Sequence, residues 1–568
     1  MSDHPATTAL DALAADYWDA FLETDPIFAT TIGDPRFDDR LPVMTAGERA
    51  AARSRFAALL ARLDALPATD GDPAAATTRS ALRESLDGDI ALLDTGLAAW
   101  NVDPLDGLPT HLLDVPEFQR HGTPAERETM LERWRAMGPY TDAFTASLLR
   151  GLSEGLVACR SPVDRTAGLL AELLDTTDEA WPFLAPLADP AHDGDAAFAT
   201  GLRDAVARQI RPALARLHEA LVTEIRPAAR PPERPGLCHV PGGDAAYGRL
   251  VRLHTSLELS PDELHRTGLA EIGRIDAEME ALAGRTIGSR SRADAIARLR
   301  ADPALHFGTR CEVHAKAIEA LARATAAIPA WFGRLPVTPC EVVDMPPHEE
   351  EHSTIAYYRQ PAEDGSRPGQ YYLNTSHPET RPRYEAEVLA YHESVPGHHL
   401  QIAIAQELDG LPAFRRHLGP TAFFEGWGLY TERLADEMGL YGGDLDRVGV
   451  LSFDAWRASR LVVDTGLHAM GWTRQRAIDY MTGHTALAPN NIENEVDRYI
   501  VMPGQALAYK TGQLEILRLR DVARERLGAA FDIRAFHDTV LGNGAIALPT
   551  LRSIVEAWAA GPAAGPAA

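Results

Sequence analysis

The stretch AYHESVPGHHLQ, residues 390–401, sets His392 and Glu393 ahead of Ser394, Val395, Pro396 and Gly397, then presents two more histidines, His398 and His399. In the His-Glu-x-x-His zinc signature, two histidines four residues apart share one helical face, and the glutamate between them works on the metal's water. Here the second histidine comes two residues late. On an unbroken helix, six residues carry about 9 Å of rise and turn the second side chain about 120° away. Zinc–nitrogen bonds of about 2.1 Å demand a far closer approach, so a regular helix cannot chelate at this spacing.

The same stretch contains a remedy. Pro396 removes a backbone donor and disfavours helical dihedrals at Val395, while Gly397 tolerates unusual ones. A bulge or kink across Ser394–Gly397 absorbs the two residues and returns His398 to His392, leaving His399 as a hydrogen-bonding neighbour. From residue types alone either His398 or His399 can be the second ligand, and three incidental histidines at a surface helix end are the alternative. A third ligand is offered by Glu425 in TAFFEGWGLYTERLADEMG, 27 residues after His398. Its aromatic helical surroundings bury a carboxylate, and a buried carboxylate needs a partner such as zinc. Glu432, two turns on, is either a surface charge or an acceptor behind the metal ligands.

Outward from this motif the chain reads as predominantly α. Stretches such as FAALLARLDAL from Phe56 and LLAELLDTTDEAW from Leu169 repeat apolar residues at helical spacing. SPDELHRTGLAEIGRIDAEMEALAG predicts a helix with a capping box, Ser260 with Glu263, Pro261 in its first turn and an end at Gly284. IRPAARPPERPG, Ile225–Gly236, is too rich in proline for a continuous helix. It divides an N-terminal helical half (residues 1–225) from a catalytic half (237–558) through a linker (226–236), although the halves need not fold apart. CEVVDMP, TIAYYRQ and GQYYLNT, between Val337 and Thr375, read as a hairpin or small sheet, with a turn in PAEDGSRPG. The last ten residues, 559–568, are low-complexity and expected to be disordered.

With 568 residues and 45% hydrophobic content the chain is long enough for a large core. A net charge of -26, from 55 basic and 81 acidic residues, argues against nucleic acid or an anionic membrane as partner. Four scattered cysteines, Cys159, Cys238, Cys311 and Cys340, lack paired spacing and are expected reduced; Cys311 with His314 reads as packing. The opening residues carry acidic groups where a signal peptide needs a basic and then apolar run, and no apolar stretch is long enough for a membrane span. A cytoplasmic enzyme is the expectation.

HESVPGHHLQ followed by FFEGWGLYTE resembles the domain-of-unknown-function family 885 (DUF885), a group associated with metallopeptidases. LETDPIFATTIGD, TSLELSPDELHRTGLAEI, YYLNT, VDTGLHAMGWT, MPGQALAYKTG and FDIRAFHDTVL carry the likeness along most of the chain. More distantly the layout is similar to carboxypeptidase Taq, thimet oligopeptidase and angiotensin-converting enzyme. The resemblance implies zinc held by His392, His398 and Glu425, with Glu393 as general base. It also implies a two-lobed helical body with a deep channel and a small antiparallel β-sheet near the active site, whose edge can pair with a peptide backbone.

Amide hydrolysis also needs donors for the developing oxyanion. In RASRLVVDTGLHAMGW, Arg460, Asp464 and His468 recur every four residues, so Asp464 can orient a catalytic His468, or the three form an ordinary charge ladder. In DRYIVMPGQALAYKTGQ, Gln505 and Tyr509 share a face; Tyr509 is the first candidate for oxyanion donor, as tyrosine serves in the related helical peptidases, and Tyr499 the reserve. Arg498 or Lys510 can take a substrate carboxylate. The leading expectation is a zinc-dependent hydrolase of short peptides or peptide-like amides. The alternatives are a non-haem iron oxygenase with the same two-histidine, one-carboxylate donors and a catalytically silent, metal-stabilised binding protein.

Overall fold

The computed structural model describes residues 5–561 except 70, 178–179, 193, 347–349, 351–353, 364 and 366. The chain is predominantly helical with one small sheet. The capping-box helix runs Pro261–Thr286, two residues past Gly284, with Ser260 and Glu263 bonded reciprocally as their spacing predicts. It lies along Asp444–His468, a helix buried almost throughout from Val448 onward. Helix Thr421–Glu437 packs in turn on Leu507–Leu527. The last three of these helices and the sheet share the largest hydrophobic core, Pro261–Thr286 packs through a smaller core with Ile275 and Met279, and two further cores, around Trp134 and Tyr17, consolidate the N-terminal helices.

The proline-rich segment is held from both sides. Arg230 exchanges backbone hydrogen bonds with the 158–160 segment, and Pro232 O accepts from Arg474 N at 2.8 Å. Helical structure continues to Ala228, beyond the start of the expected linker. The turns before Pro212 and Pro227 widen to π geometry, Val206–Ile210 and Leu221–Ile225, which accommodates a proline ring and its missing N–H. The final helix ends at Ala559, and the expected disordered tail beyond Gly561 lies outside the described residues.

The sheet consists of β1 (Cys340–Asp344), β2 (Ala356–Arg359) and β3 (Gly369–Leu373) in the order β1-β3-β2. β2 and β3 are antiparallel, but β1 runs parallel to β3 with Cys340 opposite Gly369. The sheet is therefore mixed, not antiparallel: strand composition marks the segments, whereas the crossover that puts β3 in the middle is set by packing. Two residues of the expected connecting turn, 364 and 366, lie outside the described residues. All four cysteines are free thiols. No helix among the described residues is long and apolar enough to cross a membrane.

Candidate metal centre

The helix carrying His392 spans Ala386–Glu393 and stops there; a new helix, His398–Gln406, starts at the second histidine. The expected kink is thus a complete break. Ser394 and Gly397 leave helical geometry, with ψ of -110° and -127°. Gly397 is required by proximity, because a β-carbon there would stand 2.0 Å from the His392 carbonyl oxygen. The break stacks the imidazoles of His392 and His398 edge to face, with centroids 4.6 Å apart.

Glu425 reaches them from Thr421–Glu437. Its Oε2 lies 3.6 Å from His392 Nε2 and 3.5 Å from His398 Nε2. That oxygen is buried and has no hydrogen-bond partner, as is His398 Nδ1. The three ligand atoms lie within 4.8 Å of one another and fit the spacing of donors around one cation. His392 Nδ1 sits 2.8 Å from Glu432 Oε1, deep in the protein, so Glu432 is a buried acceptor behind the ligand and not a surface charge. Gly428 lets this ring lie against the helix; a β-carbon there would meet His392 Cε1 at 2.7 Å.

The electrostatics match a cation site. Burial alone would lower the His392 pKa, but contacts with Glu425 and Glu432 raise it to about 9. Burial would raise that of Glu425, yet His392 and His398 hold it well below the usual carboxylate range. The cluster therefore favours positive charge at its centre, which protons or a metal ion can supply.

These residues line a cavity of about 460 Å³ together with Glu393, Arg457, Arg460, Glu495, Arg498 and Tyr509. The edge strand β2 contributes Tyr357 and Tyr358 to the same wall. Arg460 and Arg498 share the Glu495 carboxylate, at 2.8 and 3.2 Å. Burial would push that carboxyl up, but the two guanidiniums bring it down to about 2. Tyr509 lies under the Arg460 guanidinium, with its hydroxyl 3.4 Å from Arg498 Nη2.

Several expected site residues stand elsewhere. His399 turns away from the cluster to Tyr358 OH and Thr338 O, both at 3.0 Å, tying the helix to the sheet region. His468 does not line the cavity: it is fully buried, its Nδ1 accepts from Leu237 N and its Nε2 faces Tyr499 O. Asp464 does not orient it; that carboxylate accepts from Tyr247 OH at 2.6 Å and from Gly504 N. Periodicity along the helix puts Arg460, Asp464 and His468 on one broad face, but neighbouring elements divide that face among themselves. The Tyr499 hydroxyl donates to Glu495 and accepts from Arg460 Nε and Trp456 Nε1, so it supports the wall and does not serve as an oxyanion donor. Gln505 accepts from Arg498. Lys510 is buried among Asp454, Glu271 and Gln513, which removes it from substrate binding.

Sequence reasoning passed over Arg457, Glu495 and Tyr358. The only available signal was local: Arg457 follows an aromatic residue and precedes Arg460 by three positions. A second potential cation group, His121, Asp189 and His192, lies in the N-terminal half. Its two imidazoles already approach at 2.7 Å as a hydrogen-bonded pair.

Fold and cluster together define a class of large helical protein whose cavity holds two histidines and a glutamate able to share a cation. The chain belongs to the bacterial proteins of unknown function DUF885, whose family pattern matches residues 26–555. Its structure is similar to a protein of Colwellia psychrerythraea described provisionally as a lipoprotein, with a TM-score of 0.91 and 25% identity over 98% of this chain and 99% of that one. A Shewanella oneidensis protein, described provisionally as a lipoprotein of unknown function, shares the fold at TM-score 0.72 and 16% identity, covering 96% and 99%. No curated protein matches. The lipoprotein descriptions of these relatives overturn the expectation of a cytoplasmic protein. That expectation rested on acidic residues near the N-terminus and on the lack of a long apolar stretch, and neither reports on a lipid anchor.

Proposed function

We propose that the protein is a zinc-dependent hydrolase of peptide or peptide-like amide bonds. The observation that carries this reading is the unpartnered Glu425 Oε2, 3.6 and 3.5 Å from the Nε2 atoms of His392 and His398. Two imidazoles and one carboxylate form the usual protein donor set of a catalytic zinc site. Zinc held there supplies Lewis acidity to polarise an amide carbonyl and to make water more acidic.

The chain's own residues account for the remaining steps. Glu393, at the cavity wall beside His392, takes the proton of the attacking water and returns it to the departing amine. Glu432 fixes the ring of His392 with Nε2 toward the cavity. The Tyr509 hydroxyl, beside Arg498, is the donor available to a developing oxyanion. The edge strand β2 lines the same cavity, where an extended substrate can run alongside it.

The test combines metal analysis of the purified full chain with digestion of a short-peptide library read by mass spectrometry. Stoichiometric zinc, peptide cleavage, and a Glu393→Gln variant that keeps the metal but loses about 10²–10⁴-fold in turnover are expected. Iron with substrate-dependent oxygen uptake would point to an oxygenase built on the same donors. Bound zinc with no cleavage of any amide would leave a binding protein.

A further inference from the structure

The wall of the cavity facing the metal cluster has a charge that its own residues do not neutralise. Arg457 projects from Asp444–His468 and is only 4% exposed, with its guanidinium carbon 3.8 Å from the ring centre of Trp456 and 4.3 Å from that of Phe453. Its Nε and Nη1 are buried without a hydrogen-bond partner. The nearest carboxylate, Glu432 Oε1, is 3.9 Å from Nη2 and already sits 2.8 Å from His392 Nδ1. Arg460 and Arg498 also line the cavity, and they divide one carboxylate, Glu495, between them. Arg460 Nη1 is likewise buried and unpartnered.

A guanidinium does not lose its proton, so it cannot escape burial by becoming neutral. Leaving its donors unmet is expensive, on the order of 1–3 kcal/mol for each unsatisfied group and more for a charged one. Such a group persists where something else meets its donors, and Arg457 lines the cavity that also holds His392, Glu393, His398 and Glu425. The planar, forked donor array of arginine matches a carboxylate, which can accept two parallel N–H bonds. The aromatic faces of Trp456 and Phe453 hold the fork flat and limit its movement.

We infer that Arg457 is the anchor for a carboxylate on the substrate, so that the protein acts on short, free-acid peptides or acyl amino acids in preference to amidated or uncharged amides. The inference rests on the hydrolase reading for the identity of the scissile bond, but the anionic recognition is a property of the wall itself. The carboxylate comes either from a free C-terminus or from an acidic side chain. Arg498, supported by Gln505 and Glu495, stands at the same wall, and its hydrogen bonds make it the frame around the site rather than its vacant donor.

Calorimetric titration of the chelator-treated full chain with trialanine, trialanine amide and a C-terminally amidated Ala-Glu-Ala tests recognition without turnover. One or both carboxylate-bearing peptides should bind at least about tenfold more tightly than trialanine amide, as expected for charge-assisted hydrogen bonds. Which peptide gains identifies the source of the carboxylate. Arg457→Met should bring that affinity down to the level of the neutral amide, and Arg457→Lys, which keeps the charge but loses the fork, should recover only part of it. Circular dichroism and thermal melting establish that both variants fold; should Arg457→Met not fold, Arg457→Lys and the peptide comparison on the unaltered protein still decide. Equal affinity for all three peptides, or a preference unchanged in a folded Arg457 variant, overturns the inference. Cleavage of the same peptides by the zinc-loaded chain is a separate reading: binding selectivity without cleavage would leave the anion site intact and remove the hydrolase assignment.

Discussion

His392 Nδ1 lies 2.8 Å from Oε1 of Glu432, and both residues are buried. The contact commits the opposite nitrogen, Nε2, to the cavity and to Glu425. Partners of this kind typically govern metal affinity by 10–100-fold. Replacing Glu432 with Gln should weaken zinc binding by about that factor, measured by competition with a chromophoric chelator. Unchanged affinity would detach Glu432 from the metal centre.

Gly428 provides the surface on which the His392 ring rests. An alanine methyl would enter within 2.7 Å of Cε1, and overpacking of a tight contact costs about 1–3 kcal/mol. Gly428→Ala should lower the melting temperature modestly and displace the imidazole, so that zinc affinity falls at least about tenfold. A zinc titration in parallel with thermal melting separates the two effects; retained affinity would show that the ring does not depend on this contact.

His468 should prove structural. Burial pulls its pKa down to about 4, and the neutral ring accepts from Leu237 N while facing Tyr499 O. A folded pKa below the unfolded value of about 6.5 contributes stability that is complete above about pH 6.5 and is lost as pH falls toward 4. His468→Gln should cost about 1–3 kcal/mol at neutral pH, and the stability gap between the two proteins should narrow through that window in denaturant titrations. Peptide turnover at pH 7 should stay the same; a selective loss of kcat would restore a catalytic role.

Lys510 is expected to matter for folding and not for substrate. Its ammonium is 2.6 Å from Asp454 and 3.0 Å from Glu271, and Asp454 also pairs with Arg433 at 2.6 Å. Removing one member of a buried ionic network leaves charge uncompensated, at a cost of about 3–5 kcal/mol. Lys510→Met should lose stability of that order by urea denaturation, with KM for free-acid peptides unaltered in the folded fraction. A raised KM without destabilisation would return Lys510 to the binding site.

Much of the architecture was legible before folding was considered. Helices announce themselves by three- and four-residue periodicity and by caps such as Ser260 with Glu263, because those interactions are local. The proline and glycine inside the histidine motif likewise identify a break, since their backbone restrictions operate wherever the chain goes. The β segments could be located from residue type, but not their order, because the parallel β1–β3 pairing joins residues 29 positions apart, as Cys340 with Gly369.

His392 and Glu425 stood out in the sequence as candidate ligands by residue type and helical setting, and the family resemblance implied their grouping with Glu393. Their meeting, the preference for His398 over His399, and the exclusion of His468, Asp464 and Lys510 were decided by tertiary structure. A helix's own geometry determines which residues share a face, but the neighbours packed against it determine whether that face meets a cavity, a carboxylate or a backbone carbonyl. Arg457 illustrates the limit: one arginine among many in the sequence, it becomes distinctive only when folding buries it against Trp456 and leaves its donors without partners.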